Sequence, residues 1–217
     1  MKLNEYLSKF EELSTLYEAV KQDFIVKGLV HHNWNHVQRD LARAIIIGEK
    51  EKANMKIVLA SVLLHDIGKL YPELGKGQYS VGTKVAPKYL ESAGFTEGEI
   101  KEIVHCIRSY TPRAPEEPKT LEARVSYDVD VFSCGLGYLG AARVFDYFMR
   151  EKGMGVKKIV KMPSGRREGR KYFYTETGRI LGEKDLQRGK RFWKELEREL
   201  TEQERTVKEV IPEYDGD

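Results

Sequence analysis

Residues 57–66 read "IVLASVLLHD", an almost unbroken apolar run that ends in a histidine and an aspartate. A helix that is apolar on every side is buried, so we expect this one to carry His65 and Asp66 into the interior. A buried carboxylate loses its hydration and needs a cation or several hydrogen-bond donors to compensate. Because successive helical side chains point about 100° apart, both residues can bind one ion only near a helix end. We therefore predict a divalent metal at the end of this helix, which Gly68 is expected to terminate.

Around this segment, apolar residues recur at spacings of three and four, and sustained alternation is hard to find. The pattern is typical of amphipathic helices, so we predict an all-α fold, a helical bundle. Glycines and prolines mark the connections between the helices. The predicted helices cover residues 3–24, 35–50, 54–66, 81–92, 97–107, 120–128, 137–151 and 185–205.

Length and composition favour a single domain over residues 1–217. Apolar residues make up 41% of the chain, enough for a packed core, which we place at about 20–200. The last residues, 206–217, are expected to fray. Cys106 and Cys134 lack the spacing of a disulfide framework, which favours a reducing compartment. No apolar stretch approaches the roughly 20 residues that cross a bilayer, so we expect a cytoplasmic protein without membrane contact.

The formal charge of +3 is too nearly balanced to indicate a nucleic-acid-binding or membrane-surface protein. Basic residues nevertheless concentrate, together with glycines, in residues 152–179. We interpret this stretch as a long basic surface excursion with a short hairpin around "KKIVKM" (157–162). A solvated loop is favoured there over an electrostatic binding site. "GRREGRKYFY" (165–174) does, however, mix cations with aromatic rings that suit nucleic acid.

Three of the five histidines lie in "HHNWNHVQRD" (31–40). His36, in a predicted helix, is the expected third ligand of the metal. His32 lies four residues earlier, a spacing at which two side chains share a helix face and can chelate an ion. A histidine in the first turn can equally cap the helix or bond to a neighbour. We leave both readings open for His32 and favour the second for His31.

The fourth ligand should be a carboxylate, and "YDVDVF" (127–132) offers Asp128 and Asp130 in an apolar helical context. Each could cap a following segment, which is the usual role of a lone aspartate, but two in one apolar stretch weaken that explanation. Two histidines and two aspartates form a mixed nitrogen and oxygen set. Such a set suits one divalent transition metal, namely Mn²⁺, Fe²⁺, Co²⁺, Ni²⁺ or Zn²⁺, with Mg²⁺ as a further option.

The order H…HD…D resembles the HD-domain superfamily of metal-dependent phosphohydrolases, and four collinear blocks carry the similarity. "HHNWNHVQRD" is similar to the family opening H-D-x-x-H-x-x-R-V, and "VLLHDIGK" (62–69) to L-L-H-D-I-x-K. "YDVDVFSCGLGYLGAARVF" (127–145) is similar to D-A-D-x-x-x-x-x-G-x-x-G-x-x-R-x-F of small single-domain members. "FYTETGRILGEKDLQRGKRFWKELEREL" (173–200) is similar to their last segment, in which T-x-x-G-R precedes a helix. The resemblance runs from about residue 20 to about residue 200 and implies an HD-domain-like helical bundle.

The resemblance also implies a ligand set. His36, His65, Asp66 and Asp130 correspond to the metal ligands, with Asp128 as the nearby member of the D-x-D pair. We choose the second aspartate of the pair because that position carries the ligand in the family.

Two departures from the family pattern affect these expectations. Relatives often have a carboxylate after the first histidine, where this chain has Asn33 after His32, so a partner of the ligands is missing. Binuclear relatives have a further histidine where this chain has Tyr79 and Ser80, so we expect one metal and not two. His105 matches a histidine of the smaller members and could contact substrate phosphate or a second ion, although a local hydrogen bond explains it nearly as well.

A bound divalent ion lowers the pKa of its water towards neutrality and polarises a phosphoryl oxygen. We expect Asp66 to hold the metal and to orient the attacking water. Lys69, one turn beyond the dyad, is expected to neutralise phosphate charge. His32, Arg108 and Arg143 are further candidates for substrate contact. Each arginine taken singly is more typical of a surface cation or an ion pair.

These residues together predict a metal-dependent phosphohydrolase, a phosphomonoesterase or phosphodiesterase, acting on a nucleotide or another small phosphate ester. Two alternatives stay open. A non-catalytic metal-binding sensor or structural domain would have the same ligands but no open coordination position. A nucleic-acid-binding module would use the basic stretch 152–179. The sequence names neither the substrate nor the oligomeric state, and it leaves a homo-oligomer open.

Overall fold

The apolar run 57–66 is a helix in the interior of the protein, as seen in a computed structural model. The structure describes residues 1–75, 78–110, 116–133, 135–162 and 172–215, without the side chains of 78–80. Every regular element in these ranges is helical, which confirms the predicted all-α fold. The elements are α1 (Leu3–Lys9), α2 (Glu11–Lys27), α3 (Trp34–Glu51), α4 (Met55–Leu64), α5 (Gln78–Ala93), α6 (Glu97–Ser109), α7 (Leu121–Ser133), α8 (Gly137–Lys152), α9 (Val156–Val160) and α10 (Glu176–Val210), with 3₁₀ turns at Ile67–Leu70 and Pro72–Leu74.

Helix α4 is the buried centre of the first of two compact units, which comprises Met1–Asp130 and Phe173–Arg179. Nine of the ten residues of α4 are buried. The helix packs against α2, α3 and α6, and α5 packs against α6 and the first 3₁₀ turn. Burying so much apolar surface is the main stabilising contribution to this unit, and it places the end of α4 in the interior.

Two helix boundaries in this unit differ from the prediction. The predicted helix 3–24 is divided at Phe10, whose extended backbone (φ −124°, ψ 104°) separates α1 from α2. Helix α4 ends at Leu64, so Gly68 does not terminate it and lies instead in the first 3₁₀ turn. A Cβ at Gly82 would lie 3.8 Å from the Gly68 amide nitrogen. That is an ordinary van der Waals distance, so α5 and this turn are in contact at Gly82.

The second compact unit comprises Val131–Tyr172 and Ile180–Asp217. Its core consists of Ala141, Ile159 and Trp193, with partly buried aromatic and aliphatic side chains packed around them. The prediction of a single domain over the whole chain stays a prediction.

The basic stretch differs from its predicted structure where the structure describes it. Residues 157–162 do not form a hairpin, because most of them belong to the short helix α9, which buries Ile159 and Val160. Helix α10 already begins within the basic stretch, at Glu176, and continues through residues 206–210, where a frayed tail was expected. Most of the "GRREGRKYFY" segment, and also Cys134, lies outside the described residues.

Candidate metal centre

His65 and Asp66 follow directly on the last residue of α4. His65 keeps helical backbone angles (φ −57°, ψ −33°), whereas Asp66 departs from them (φ −108°, ψ 7°). This change of direction brings the two adjacent side chains together, with His65 Nε2 3.4 Å from Asp66 Oδ2. Both residues are buried. They can therefore face one point in the interior, which a continuous helix would not allow.

Helix α3 contributes His36 from its first turn. The side-chain oxygen of Asn33 accepts a hydrogen bond from the His36 amide (3.1 Å), which caps the helix and fixes where it starts. His36 Nε2 lies 3.2 Å from His65 Nε2 and 3.2 Å from Asp66 Oδ2. The capped start of α3 thus places a second imidazole against the dyad.

Helix α7 contributes Asp130 and gives Asp128 a different role. Asp130 Oδ1 lies 4.0 Å from His65 Nε2. The Asp128 carboxylate instead accepts hydrogen bonds from the Tyr174 amide (2.8 Å), the Thr175 amide (2.7 Å) and the Thr175 hydroxyl (2.6 Å). Burial raises the pKa of Asp128 to about 6, although these hydrogen bonds act in the opposite direction. One aspartate of the D-x-D pair faces the dyad, and the other holds the segment before α10.

The T-x-x-G-R block fits this second role of the pair. The Thr175 hydroxyl oxygen also accepts a hydrogen bond from the Gly178 amide (2.9 Å), so Thr175 caps the start of α10. A Cβ at Gly178 would collide with the Asp128 carboxylate. The glycine is therefore required by the close approach of α10 to Asp128.

Sequence reasoning missed Asp40, which lies one turn after His36 on α3 and is only 1% exposed. Asp40 Oδ2 is 3.4 Å from His36 Nε2 and 3.6 Å from His65 Nε2. One ligand atom from each of His36, Asp40, His65 and Asp130 lies within 4.8 Å of every other. The i,i+4 spacing from His36 was the available signal, because it places both side chains on the same helix face.

The tautomer of His65 fits a metal ligand. Its Nδ1 lies 2.7 Å from the Val62 carbonyl oxygen, which can only accept, so Nδ1 carries a proton and Nε2 faces the cluster. Burial would lower the pKa of His65, but the Asp66 carboxylate and two further aspartates outweigh it and raise the pKa to about 9. In the metal-free protein a proton therefore occupies a position that suits a cation.

The spacing of the donors also fits one ion. Ligand atoms that share an ion at about 2.0–2.3 Å lie about 3–4.5 Å from one another. The contacts of His65 Nε2 with the other donors span 3.2–4.0 Å. A cavity of about 10 Å³, room for about one water, borders Asp40, His65 and Asp130. The spacing of these donors therefore fits a divalent ion.

The second carboxylate oxygen of Asp66 is held by two side chains. Lys69 Nζ lies 2.8 Å from Asp66 Oδ1, and the Tyr110 hydroxyl donates to the same oxygen at 3.1 Å. Burial would raise the pKa of Asp66, but the charges of Lys69 and His65 outweigh it and hold the pKa well below its usual range. Asp66 is thus ionised and fixed in orientation. Tyr110, like Asp40, was not found from the sequence.

His32 lies close to the cluster but precedes α3, so it does not share a helix face with His36. Its Nε2 is 4.0 Å from Asp66 Oδ2, and the rings of His32 and His36 are 5.5 Å apart. Burial lowers the pKa of His32 to about 3, even though the Asp66 carboxylate opposes the shift. His32 is therefore neutral at physiological pH.

The other predicted substrate contacts have local partners or lie in the second unit. His105 Nδ1 is 3.0 Å from Glu116 Oε2, and His105 Nε2 accepts a hydrogen bond from the Lys119 amide at 3.2 Å. Arg108 Nε lies 2.8 Å from Glu116 Oε1. These contacts favour a local hydrogen-bonding role for His105 over contact with the substrate. Arg143 is exposed on α8.

The roles of His105, Arg108 and Arg143 in substrate binding stay predictions. The expectation of one metal and not two rested on Tyr79 and Ser80, whose side chains lie outside the described residues.

A helical unit whose central helix ends in a buried His–Asp dyad, with a further histidine and aspartate brought to it by neighbouring helices, is the arrangement that defines the HD domain. Residues 33–134 match the HD domain family. The chain therefore carries an HD domain over these residues, and HD domains bind divalent metals. In the described ranges, each helix is too short or too polar to cross a lipid bilayer.

Comparisons with known proteins agree with this assignment. The uncharacterized protein YpgQ of Bacillus subtilis (strain 168) is 32% identical over 131 residues, which are 58% of this chain and 60% of YpgQ. The match therefore spans less than two thirds of that relative. A "predicted HD superfamily hydrolase" from an uncultured Thermotogales bacterium is 25% identical with a TM-score of 0.64, over 93% of this chain and 99% of that one. A crystal structure of YpgQ in complex with ADP is 20% identical with a TM-score of 0.57, over 94% and 97% of the chains, a likeness of fold alone.

Proposed function

We propose that this protein is a metal-dependent phosphohydrolase that acts on a nucleotide or another small phosphate ester. The observation that carries the proposal is the convergence of two imidazoles and several carboxylates on one buried point. His36 Nε2, His65 Nε2 and Asp66 Oδ2 lie 3.2–3.4 Å from one another. An uncompensated cluster of this kind would be costly to bury, whereas a divalent cation makes it favourable.

The residues that would hold the metal are His36, His65, Asp66 and Asp130. Mixed imidazole and carboxylate donors suit one divalent ion, and we propose Mn²⁺, Fe²⁺, Co²⁺, Ni²⁺ or Zn²⁺, with Mg²⁺ also compatible. Such an ion supplies a water of lowered pKa as the nucleophile and charge that offsets the phosphate. The protein itself then needs no covalent nucleophile.

Lys69 is the residue best placed to act on the phosphate. Its side chain is 20% exposed and its Nζ contacts Asp66, so it lies at the edge of the buried cluster. There it would hold Asp66 in orientation and neutralise charge on a phosphoryl oxygen. Neutral His32, near Asp66, could donate or accept a hydrogen bond to the substrate without adding charge.

A nucleotide is the substrate class that we favour. The support is the crystal structure of YpgQ with ADP, a protein that shares this fold. The alternative of a non-catalytic metal-binding sensor or structural domain has no specific observation in its favour, because Lys69 gives the cluster a cation that a purely structural site does not need.

The test is a panel of nucleotides and phosphate mono- and diesters offered to metal-stripped protein that has been reloaded with Mn²⁺, Co²⁺, Ni²⁺, Zn²⁺ or Mg²⁺. We expect phosphate or pyrophosphate release that requires metal, and its loss in Asp66→Ala. Lys56→Met, at the other end of α4, serves as the matched control and should retain activity. Stoichiometric metal binding with no turnover on any member of the panel would contradict the proposal and favour the sensor.

A further inference from the structure

Asp40 stands out among the buried residues of the first unit as a carboxylate beside the proposed metal ligands. It lies on α3, 1% exposed, in the sequence "HVQRD". The family opening that this stretch resembles, H-x-x-R-V, has an apolar valine at this position. This chain therefore has an ionisable side chain at a buried position where the family pattern has an apolar one. Burying a carboxylate is energetically costly unless its charge is compensated.

The geometry of Asp40 matches that of the other donors. Its Oδ2 is 3.4 Å from His36 Nε2 and 3.6 Å from His65 Nε2. The corresponding distance from His65 Nε2 to Asp130 is longer, at 4.0 Å. Asp40 therefore satisfies the distance requirement for sharing an ion with both imidazoles at least as well as Asp130 does.

We propose that Asp40 is a fifth protein ligand of the metal, in addition to His36, His65, Asp66 and Asp130. This inference rests on the proposed metal centre and not on its hydrolytic activity. Five protein donors leave one position of a six-coordinate ion open to water. A third carboxylate also shifts the preference of the site towards ions that favour oxygen ligands, Mn²⁺ and Mg²⁺, relative to Zn²⁺, which is satisfied by four ligands.

A role through charge alone makes a different prediction. If Asp40 only adds negative potential or accepts a hydrogen bond from an imidazole, its removal lowers the affinity for all divalent ions to a similar degree. The number of waters coordinated to the ion is then unchanged. If Asp40 is a ligand, a water takes its place, and Mn²⁺ loses more affinity than Zn²⁺. The number of waters on the ion and the ratio of the two affinities therefore separate a ligand from a neighbour.

The experiment measures Mn²⁺ and Zn²⁺ binding by calorimetry, and inner-sphere water on Mn²⁺ by proton relaxation, in the full chain. Asp40→Asn keeps the size of the side chain, and Asp40→Val introduces the residue of the family pattern. Asp23→Asn is the matched control, because it neutralises a part-buried carboxylate of the same unit that contacts Tyr71 and Tyr89. Circular dichroism and urea unfolding report whether each variant folds.

We expect both Asp40 variants to lower the affinity for Mn²⁺ by at least about 10- to 100-fold, the range for residues that support a metal site. The affinity for Zn²⁺ should fall several-fold less, and Asp40→Val, which has no donor atom, should gain one inner-sphere water, while Asp23→Asn matches wild type. Equal losses for both ions without an added water, unchanged Mn²⁺ affinity, or a wild-type protein that binds no Mn²⁺ would each overturn the inference. Because none of these measurements uses substrate, a protein that binds Mn²⁺ as described but hydrolyses nothing would refute only the proposed function.

Discussion

Charged side chains cluster at both ends of α4, and the charge of the buried groups is compensated differently in the two clusters. Near the start of the helix, Lys56 Nζ lies 3.0 Å from Glu12 Oε1 and 2.7 Å from Glu99 Oε1, and its side chain is 12% exposed. Burial would lower the pKa of Lys56, but the two glutamates outweigh it and raise the pKa. This cluster contains its own cation, and its carboxylates remain partly in contact with solvent.

At the other end, the carboxylates of Asp40, Asp66 and Asp130 lie with two imidazoles in the interior, and Lys69 contacts only Asp66 among them. The excess negative charge raises the pKa of His65 to about 9, so a proton is retained on the imidazole that faces these carboxylates. The comparison teaches that a buried acidic excess indicates a cation site, whereas a buried ion pair with its own lysine indicates a structural contact.

The largest effect is expected from Asp66→Ala, which removes a proposed ligand. Metal affinity should fall by more than about 100-fold, since even the hydrogen-bond partners of ligands contribute 10- to 100-fold. Metal content and hydrolysis should therefore fall together. Elemental analysis after dialysis, beside the activity panel, measures both. Retained metal in a folded Asp66→Ala protein would remove Asp66 from the ligand set.

Lys69→Ala should separate metal binding from turnover. If Lys69 neutralises phosphate, metal stoichiometry stays near wild type while kcat/KM falls by an amount equivalent to about 2–4 kcal/mol of transition-state stabilisation. Steady-state kinetics on the best substrate of the panel gives the answer. Unchanged kinetics would make Lys69 an ordinary partner of Asp66, with the metal assignment intact.

The pH dependence of stability distinguishes metal-free from metal-loaded protein. The folded-state pKa of His65, about 9, lies above its ordinary value of 6.5. Protonation of His65 therefore stabilises the metal-free fold fully below about pH 6.5, and this contribution is lost as the pH rises through about 9. The loss amounts to about 3 kcal/mol.

Urea unfolding at several pH values, with a chelator or with Mn²⁺, measures this contribution. The metal-loaded protein should not show the loss, because the ion replaces the proton and the imidazole is then neutral across the range. Parallel profiles with and without metal would show that His65 does not exchange a proton for the ion.

The smallest effect is expected at the other end of α4. Lys56→Met keeps the apolar stem but removes the charge between Glu12 and Glu99, which should cost about 1 kcal/mol of folding free energy. Urea unfolding at neutral pH measures it. Metal affinity should not change. A loss of metal affinity would show that the two ends of α4 are coupled and would end the comparison between them.

The sequence was sufficient for the parts of the site that follow from local pattern. The apolar run before His65 and Asp66 predicts burial because no face of that helix is polar. The three- and four-residue periodicity predicts the all-α fold. Asp40 was missed because the polar residues of an amphipathic helix ordinarily lie on its solvent side.

Other features depend on partners that are distant in the chain. Asp128 accepts a hydrogen bond from the Thr175 amide, which lies 47 residues later in the chain, and no local pattern reveals that contact. The predicted hairpin at 157–162 was wrong, because Val156–Val160 is a short helix that buries Ile159 and Val160, and the lysine-rich composition does not reveal that burial. Long-range packing, and not local propensity, decided these cases.

The most direct test of the account is a crystal structure of the protein grown with Mn²⁺, with the ion located by its anomalous scattering. The account predicts one Mn²⁺ at about 2.0–2.3 Å from His36 Nε2 and His65 Nε2, with carboxylate oxygens of Asp66 and Asp130 also in contact with the ion, and the proposed fifth ligand adds an oxygen of Asp40. A well-ordered structure with Mn²⁺ elsewhere, or with no Mn²⁺ between the two imidazoles at saturating concentration, would contradict it.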